Sequence, residues 1–290
     1  PRTTQFGVFE VGTNHPGEIA PLANLVAPDV SLLLNVLPAH IGNFADLAAL
    51  RQEKLAIASG NSTLILPVSL KSETDWPRTI TFGNNSESDV RGALSAPGLL
   101  TAAVFDDVFE INVPWRDPER IDSVLAVLAV LKILDVDIAW LVGEIMNLVL
   151  PEGRGNYRLA SGVLVIDDSY NANPASMAMA LRNLANVEGE GRKIALLGEM
   201  LELGDETEAS HEAMAALVTG LDQVITFGQG FDACGFGAAH HHLGNIDELD
   251  LGDFIDSLGA GDVVLIKGSN KVFWQKGFVK SLVTALDARS

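Results

Sequence analysis

The sequence has a single cysteine, Cys234, among 290 residues, so no internal disulfide can staple it and a reducing compartment suits it. That cysteine reads as a small apolar side chain, buried or half-buried. Basic residues are scarce. The 19 Lys and Arg stand against 38 Asp and Glu, a formal charge of −19, which argues against binding along a nucleic-acid backbone, where clustered cations must displace counterions. An anionic nucleotide stays within reach through backbone amides, a metal or a few basic side chains. Long unbroken apolar runs are missing too. The most apolar stretch, Ser123 to Leu150, is interrupted by Lys132, Asp135, Asp137 and Glu144, too many charges for a membrane span, and reads as one or two core helices. No basic start leads into an apolar stretch and a small-residue cleavage site, so no signal peptide is visible and a cytoplasmic location is expected. Pro1 opens the sequence, and Val8-Phe9 runs almost at once into Glu10, from which the chain is expected to begin inside a domain with more sequence upstream.

What is present is 48% hydrophobic residues in a chain long enough for two domains, each with its own core. From Val163 onward, strand-like runs (163–166, 194–197, 224–227, 263–266) alternate with amphipathic segments after Pro174, around 206–218 and at the C-terminus. That alternation is the pattern of βαβ units around a parallel sheet. The N-terminal part reads as a strand at 6–11, a helix at 17–25, a strand at 30–36 and a helix at about 45–58. Short strands broken by Pro, Gly and Asn follow, like a meander, between Thr63 and Val113. The fold class is α/β, with a hinge expected at Pro151-Glu152-Gly153-Arg154-Gly155 and domains at 1–153 and 154–290.

The most informative segment is Asp167-Asp168-Ser169-Tyr170-Asn171-Ala172-Asn173-Pro174-Ala175-Ser176-Met177, directly after the apolar run Val163 to Ile166. A buried strand ending in two carboxylates, then a polar turn, then Pro at a first helical position, places hydrogen-bonding groups at a strand-to-helix crevice, where open α/β sheets bind ligands. The plainer reading is that the aspartates cap the helix and the asparagines take turn conformations. Glu10 and His40 each follow a predicted strand and would share one carboxyl edge, with Lys54 on a helix leaning over it. Asn14 and His15 sit in the loop before Gly17-Glu18, where they could contact substrate or simply cap; Glu18 would favour the start of the next helix. Arg154 has the forked donor set that suits phosphate, and Lys267, at the end of the last strand, could receive a carboxylate or phosphate or be an ordinary strand-end lysine. The run His240 to His242 reads as a polar loop or strand edge, because neighbours on a strand face opposite ways.

The segment from Asp167 to Met177 resembles the start of the C-terminal domain of Mur ligases. Phe9-Glu10-Val11-Gly12-Thr13-Asn14-His15-Pro16-Gly17-Glu18-Ile19, Ala39-His40 with Lys54 downstream, Gly153-Arg154-Gly155 and Lys267-Gly268-Ser269-Asn270 agree with that family in order. The resemblance implies a partial central, ATPase-type domain followed by a Rossmann-like domain. It implies an ATP-dependent amide ligase, acting on a nucleotide-linked muropeptide and D-Ala-D-Ala. Glu10 and His40 look like Mg2+ ligands, Lys54 like a lysine carbamylated by CO2, and Arg154, Asp168 and Asn171 like nucleotide contacts. Several positions depart from the family. Its Gly-Lys-Thr or Gly-Lys-Ser phosphate loop is absent and is expected upstream. Where the family has Gly-Arg-His followed shortly by an Asn that touches the adenine, the chain reads Val113-Pro114-Trp115-Arg116-Asp117-Pro118-Glu119-Arg120-Ile121-Asp122-Ser123; its Asn-x-Asp turn reads Leu64-Ile65-Leu66-Pro67-Val68-Ser69, and the Glu two positions after the modified lysine is Ala56. These departures leave a second expectation open, a catalytically silent binding or assembly module with a protein partner.

Overall fold

The computed structural model describes residues 3–37, 41–96, 98–113 and 120–289. The chain divides into two compact units, Asn43–Leu148 with the segment up to Leu37 forming the first and the residues from Val149 onward the second.

The first unit runs α1 (Ile19–Val26), β1 (Val30–Leu32), α2 (Leu47–Leu55), β2 (Thr63–Pro67), β3 (Thr79–Gly83), β4 (Val90–Ala96), β5 (Leu99–Val104), β6 (Asp107–Asn112), α3 (Ile121–Ile133) and α4 (Ile138–Glu144). Its sheet keeps sequence order, β1 to β6, parallel as far as β4 and an antiparallel meander from there. The α2 start is set by Asp46, whose carboxylate accepts the Ala49 amide at 2.7 Å. In β2, Leu64, Ile65 and Leu66 are all fully buried, as in a parallel strand covered on both faces. Ile65 packs with Leu125 and Leu128 of α3, while Leu64 and Leu66 pack on the other face with Leu55 and Leu70. The apolar stretch expected to be core is buried along α3, whereas α4 presents Trp140 at 63% exposure.

Two expectations fail here. Residues 6–11 form no strand, and Phe6, Val8 and Phe9 are exposed. Their aromatic and β-branched residues supply propensity, but a strand needs a ladder partner, and none of the described residues pairs with this segment. The strand expected over 30–36 ends at Leu32, with one further ladder bond from the Leu33 amide to Ile65 at 2.9 Å.

The second unit runs β7 (Asn156–Ala160), β8 (Val163–Asp168), α5 (Pro174–Asn186), β9 (Lys193–Gly198), α6 (Thr207–Glu212), β10 (Gln223–Phe227), β11 (His240–Leu243), α7 (Leu251–Ser257), β12 (Val263–Lys267) and α8 (Phe278–Asp287). Sheet order is β11-β10-β9-β12-β8-β7, all neighbours parallel except β7, which runs antiparallel to β8. Each strand alternates its side chains between two cores. Val165, Ile266 and Leu196 face α7 and α8; Ile166, Leu265 and Leu197 face α5. The strands and helices expected from Val163 onward are present. The sequence reading missed β7 and α7, and left His240 to His242 open between a polar loop and a strand edge; the run is the edge strand β11. Asn156 to Ala160 is half polar because β7 is an edge strand with Tyr157 and Leu159 exposed. Histidines have little strand propensity, yet β11 is held in register against β10 and by the Thr226 hydroxyl, within 2.8 Å of His240 Nε2 and 2.9 Å of His242 Nδ1.

Replacing Leu125 by Ala leaves a cavity under the meander and is expected to cost about 2–5 kcal/mol, read from chemical denaturation. A loss well below about 1 kcal/mol would show that α3 is not packed as described.

Candidate functional site

In the second unit β8 and β12 are parallel neighbours with Lys267 opposite Asp168 in register. Directly opposed residues share a face, so the Lys267 ammonium lies 2.7 Å from Asp168 Oδ2, with the lysine side chain only 2% exposed. The same ammonium donates to the Asn171 carbonyl oxygen at 3.0 Å. Burying this pair is tolerable because both charges are matched; removing one partner of such a pair costs about 3–5 kcal/mol. The side-chain amide of Asn171, by contrast, is exposed and makes no hydrogen bond among the described residues.

The neighbouring aspartate has a different task. Asp167 faces the opposite side of the sheet, accepting the Ser169 hydroxyl at 2.6 Å and the Gly153 amide at 3.1 Å. The Asp167 carbonyl oxygen also accepts the Gly155 amide at 2.7 Å, and the Gly153 carbonyl accepts the Tyr170 amide at 3.1 Å. Gly153 cannot be replaced without rearrangement. Its φ is +71°, and a Cβ there would lie 2.8 Å from the Trp274 ring and 3.0 Å from Tyr170 Cβ. The adjoining Arg154 guanidinium consequently sits 4.0 Å over the Tyr170 ring, which in turn meets Trp274 edge-on at 5.5 Å. Neither aspartate caps α5: that is done by Asn173, which forms a capping box with Ser176 ahead of Pro174. Arg154, Asp168, Asn171 and Lys267 are thus gathered at the carboxyl ends of β8 and β12.

The turn after β9 closes this edge. The Leu201 amide donates to Ser269 Oγ at 3.0 Å, and the Met200 amide donates to Nε2 of fully buried His211 at 2.9 Å. With Nε2 accepting, His211 is neutral, and its Nδ1–H donates to the Thr207 carbonyl at 2.6 Å. Burial pushes its pKa below the usual histidine value. The sequence reading missed His211, since a lone histidine in an acidic stretch carries no signal of burial.

In the first unit, Glu18 is the N-cap residue of α1, but its side chain makes no capping bond to the helix. Its carboxylate folds back to accept the Asn14 amide at 2.7 Å and the His15 amide at 3.0 Å, which lowers its pKa to about 2. Helix α1 is served instead by Glu53, which accepts the Gly17 and Ile19 amides at 2.7 and 2.8 Å. The loop therefore holds its backbone inward and leaves the Asn14 and His15 side chains exposed. Lys54, next to Glu53, is half-buried, and desolvation lowers its pKa. Glu10 is exposed on the irregular segment rather than at a strand end, and makes no ion pair or hydrogen bond among the described residues. His40 lies outside the described residues. Among those described, no three His, Cys, Asp or Glu side chains converge to hold a metal ion.

Residues 1–113 match the Mur ligase middle domain and residues 153–270 match the domain described as Mur ligase, glutamate ligase domain. The chain belongs to the Mur ligase family. Two relatives, from Rickettsia prowazekii (26% identical, 93% of this chain) and Synechocystis (30% identical, 92% of this chain), are named UDP-N-acetylmuramoyl-tripeptide--D-alanyl-D-alanine ligase. The chain spans 64% and 61% of their respective lengths. The crystal structure of MurF ligase from Thermotoga maritima in complex with ADP superposes with a TM-score of 0.81 at 26% identity, over 96% of this chain and 66% of that one. No helix among the described residues is long and apolar enough to cross a membrane.

Two pH effects follow. Glu18, with its folded pKa near 2 against 4.5 for the free group, contributes stability that is complete above pH 4.5 and is lost as pH falls towards 2. Its carboxyl carbon, followed by NMR, should titrate near pH 2; a midpoint near the free value would show that the loop contacts do not persist. For His211 the unfolded chain takes up a proton that the folded chain resists, so stability is full above about pH 6.5 and falls below it. The urea midpoint should decline between about pH 7 and pH 5, and His211→Gln should flatten part of that decline. Equal slopes for both proteins would mean that His211 titrates freely.

Proposed function

We propose that the protein is an ATP-dependent amide ligase of peptidoglycan precursor synthesis, joining D-alanyl-D-alanine to a UDP-N-acetylmuramoyl-tripeptide. In such a reaction the muropeptide carboxylate takes the terminal phosphoryl group of ATP and ADP leaves. The dipeptide amine then attacks the acyl phosphate, expelling phosphate and losing a proton as the amide forms. The name borne by the relatives supports this reading. The observation that carries it is the group at the ends of β8 and β12. Arg154 is fixed over Tyr170, where it would meet phosphate, and Asp168 and Asn171 stand on one turn, where they would position the nucleotide.

Magnesium belongs to the same reading, with Glu10, His40 and a carbamylated Lys54 as its ligands. When bound, the ion would neutralise phosphate charge. The lowered pKa of half-buried Lys54 raises the share of free amine, the form that adds CO2. The adduct would offer oxygen donors of the kind magnesium prefers, where an ammonium offers none. Asn14 and His15, with their side chains exposed on a loop whose backbone is already satisfied, would face the muropeptide or dipeptide.

One observation favours a second reading, a silent binding or assembly module. Where the family has an Asn-x-Asp turn, this chain has Leu64-Ile65-Leu66-Pro67-Val68-Ser69, of which the first three are fully buried within β2 and none carries the amide or acid of that turn.

Titration calorimetry with Mg-ATP, paired with a phosphate-release assay, separates the two. The ligase should bind nucleotide, lose about 10- to 100-fold in affinity with Arg154→Ala, and release phosphate only when both muropeptide and dipeptide are present. Nucleotide binding without phosphate release would favour the silent module, and no binding would end the ligase reading for this chain. Carbon-13 NMR in labelled bicarbonate should show a carbamate signal that Lys54→Arg abolishes; its absence from the parent protein would remove Lys54 from the metal set.

A further inference from the structure

A lysine at the end of a ligand-edge strand invites the view that it grips substrate directly. The geometry points elsewhere for Lys267. Its side chain is 2% exposed, and its ammonium is already committed to Asp168 Oδ2 at 2.7 Å and to the Asn171 carbonyl at 3.0 Å. An ammonium has three donors, and two of them here end on the very turn that carries both nucleotide-side groups. The stem is held between neighbours on both sides, since Lys267 pairs in register with Asp168 on one strand and with Leu197 on the other. Beyond Lys267, Ser269 fastens the turn after β9 through the Leu201 amide, and the Ser269 amide itself donates to the Glu199 carbonyl at 3.1 Å.

We propose that Lys267 is a positioning residue, a buried cationic strut that sets the Asp168 carboxylate and the backbone at Asn171 so that the exposed Asn171 amide and the adjoining acid are presented to the nucleotide together. This rests on the nucleotide reading of the site. It differs from a substrate contact in that Lys267 touches no ligand and acts only through Asp168 and Asn171. It also differs from a general stabilising role, because its effect is confined to the 168–173 turn. A strut held by two partners restricts that turn in the free protein, before any nucleotide arrives, so part of the ordering cost of binding is already met.

The test compares the parent chain with Lys267→Met, Asp168→Asn and the double variant, by amide hydrogen exchange and by Mg-ATP titration. Lys267→Met should speed exchange of the 169–173 amides at least about tenfold while leaving those of β9 and β10 within about twofold, and should weaken nucleotide binding about tenfold. The double variant should bind no worse than the weaker single one, since both changes cut the same link; Arg154→Ala combined with Lys267→Met should instead multiply the two losses. Unchanged exchange in the turn, or multiplied losses for the 168 and 267 pair, would overturn the proposal. If the parent chain binds no nucleotide, the reading of the site fails, and the exchange result still decides whether Lys267 orders the turn. Should Lys267→Met not fold, the parent protein supplies the answer by nitrogen-15 NMR of the lysine ammonium. A signal protected from water and displaced by Asp168→Asn supports the strut, whereas one exchanging freely or indifferent to Asp168 refutes it.

Discussion

The second unit depends on the adjacency of β8 and β12, two strands distant in sequence that the sheet order places side by side in parallel register. That adjacency puts a lysine opposite an aspartate at the rim of a dry sheet. Neither charge would be tolerated there alone, and together they tie the polar turn to the end of the last strand. The alternation of side chains across the sheet then divides the Asp167-Asp168 pair between two jobs. Asp167 binds the Gly153 segment on one face, and Asp168 meets the cation on the other. Arg154 is carried into place by the first of these and Asn171 by the second.

The loop of residues 13–18 in the first unit works by the same logic with less burial. Two carboxylates, Glu18 and Glu53, satisfy the amides of Asn14, His15, Gly17 and Ile19, which a short helix and its entry loop would otherwise leave to water. Anchoring the backbone in this way leaves the Asn14 and His15 side chains exposed at a defined place. A lysine beside that anchor is partly desolvated, which favours its neutral form.

Much of the second unit was legible in the chain itself. Runs such as Val163 to Ile166 and Ile194 to Leu197 are buried on both faces and so read as continuous apolar strands. Pro174 after a polar turn marked the start of α5 correctly. The failures share one cause, that local pattern says nothing about partners. Residues 6–11 have the aromatic and β-branched residues of a strand and no ladder, whereas His240 to Leu243 has poor propensity and a full ladder along β10. Glu18 was read only as an acid favouring the start of α1, and the two amides and one hydroxyl of its own loop that its carboxylate accepts were not legible in that pattern.

The sequence by itself determined the α/β class, the chain order of β8, α5, β9, α6, β10, β12 and α8, and the family, because apolar periodicity and short motifs are properties of neighbouring residues. Only the tertiary structure decided which aspartate meets Lys267, that Lys267 is buried, and that His211 is neutral and fastened to the turn after β9. Those outcomes depend on strand order and desolvation, and both arise from contacts between segments that are remote along the chain.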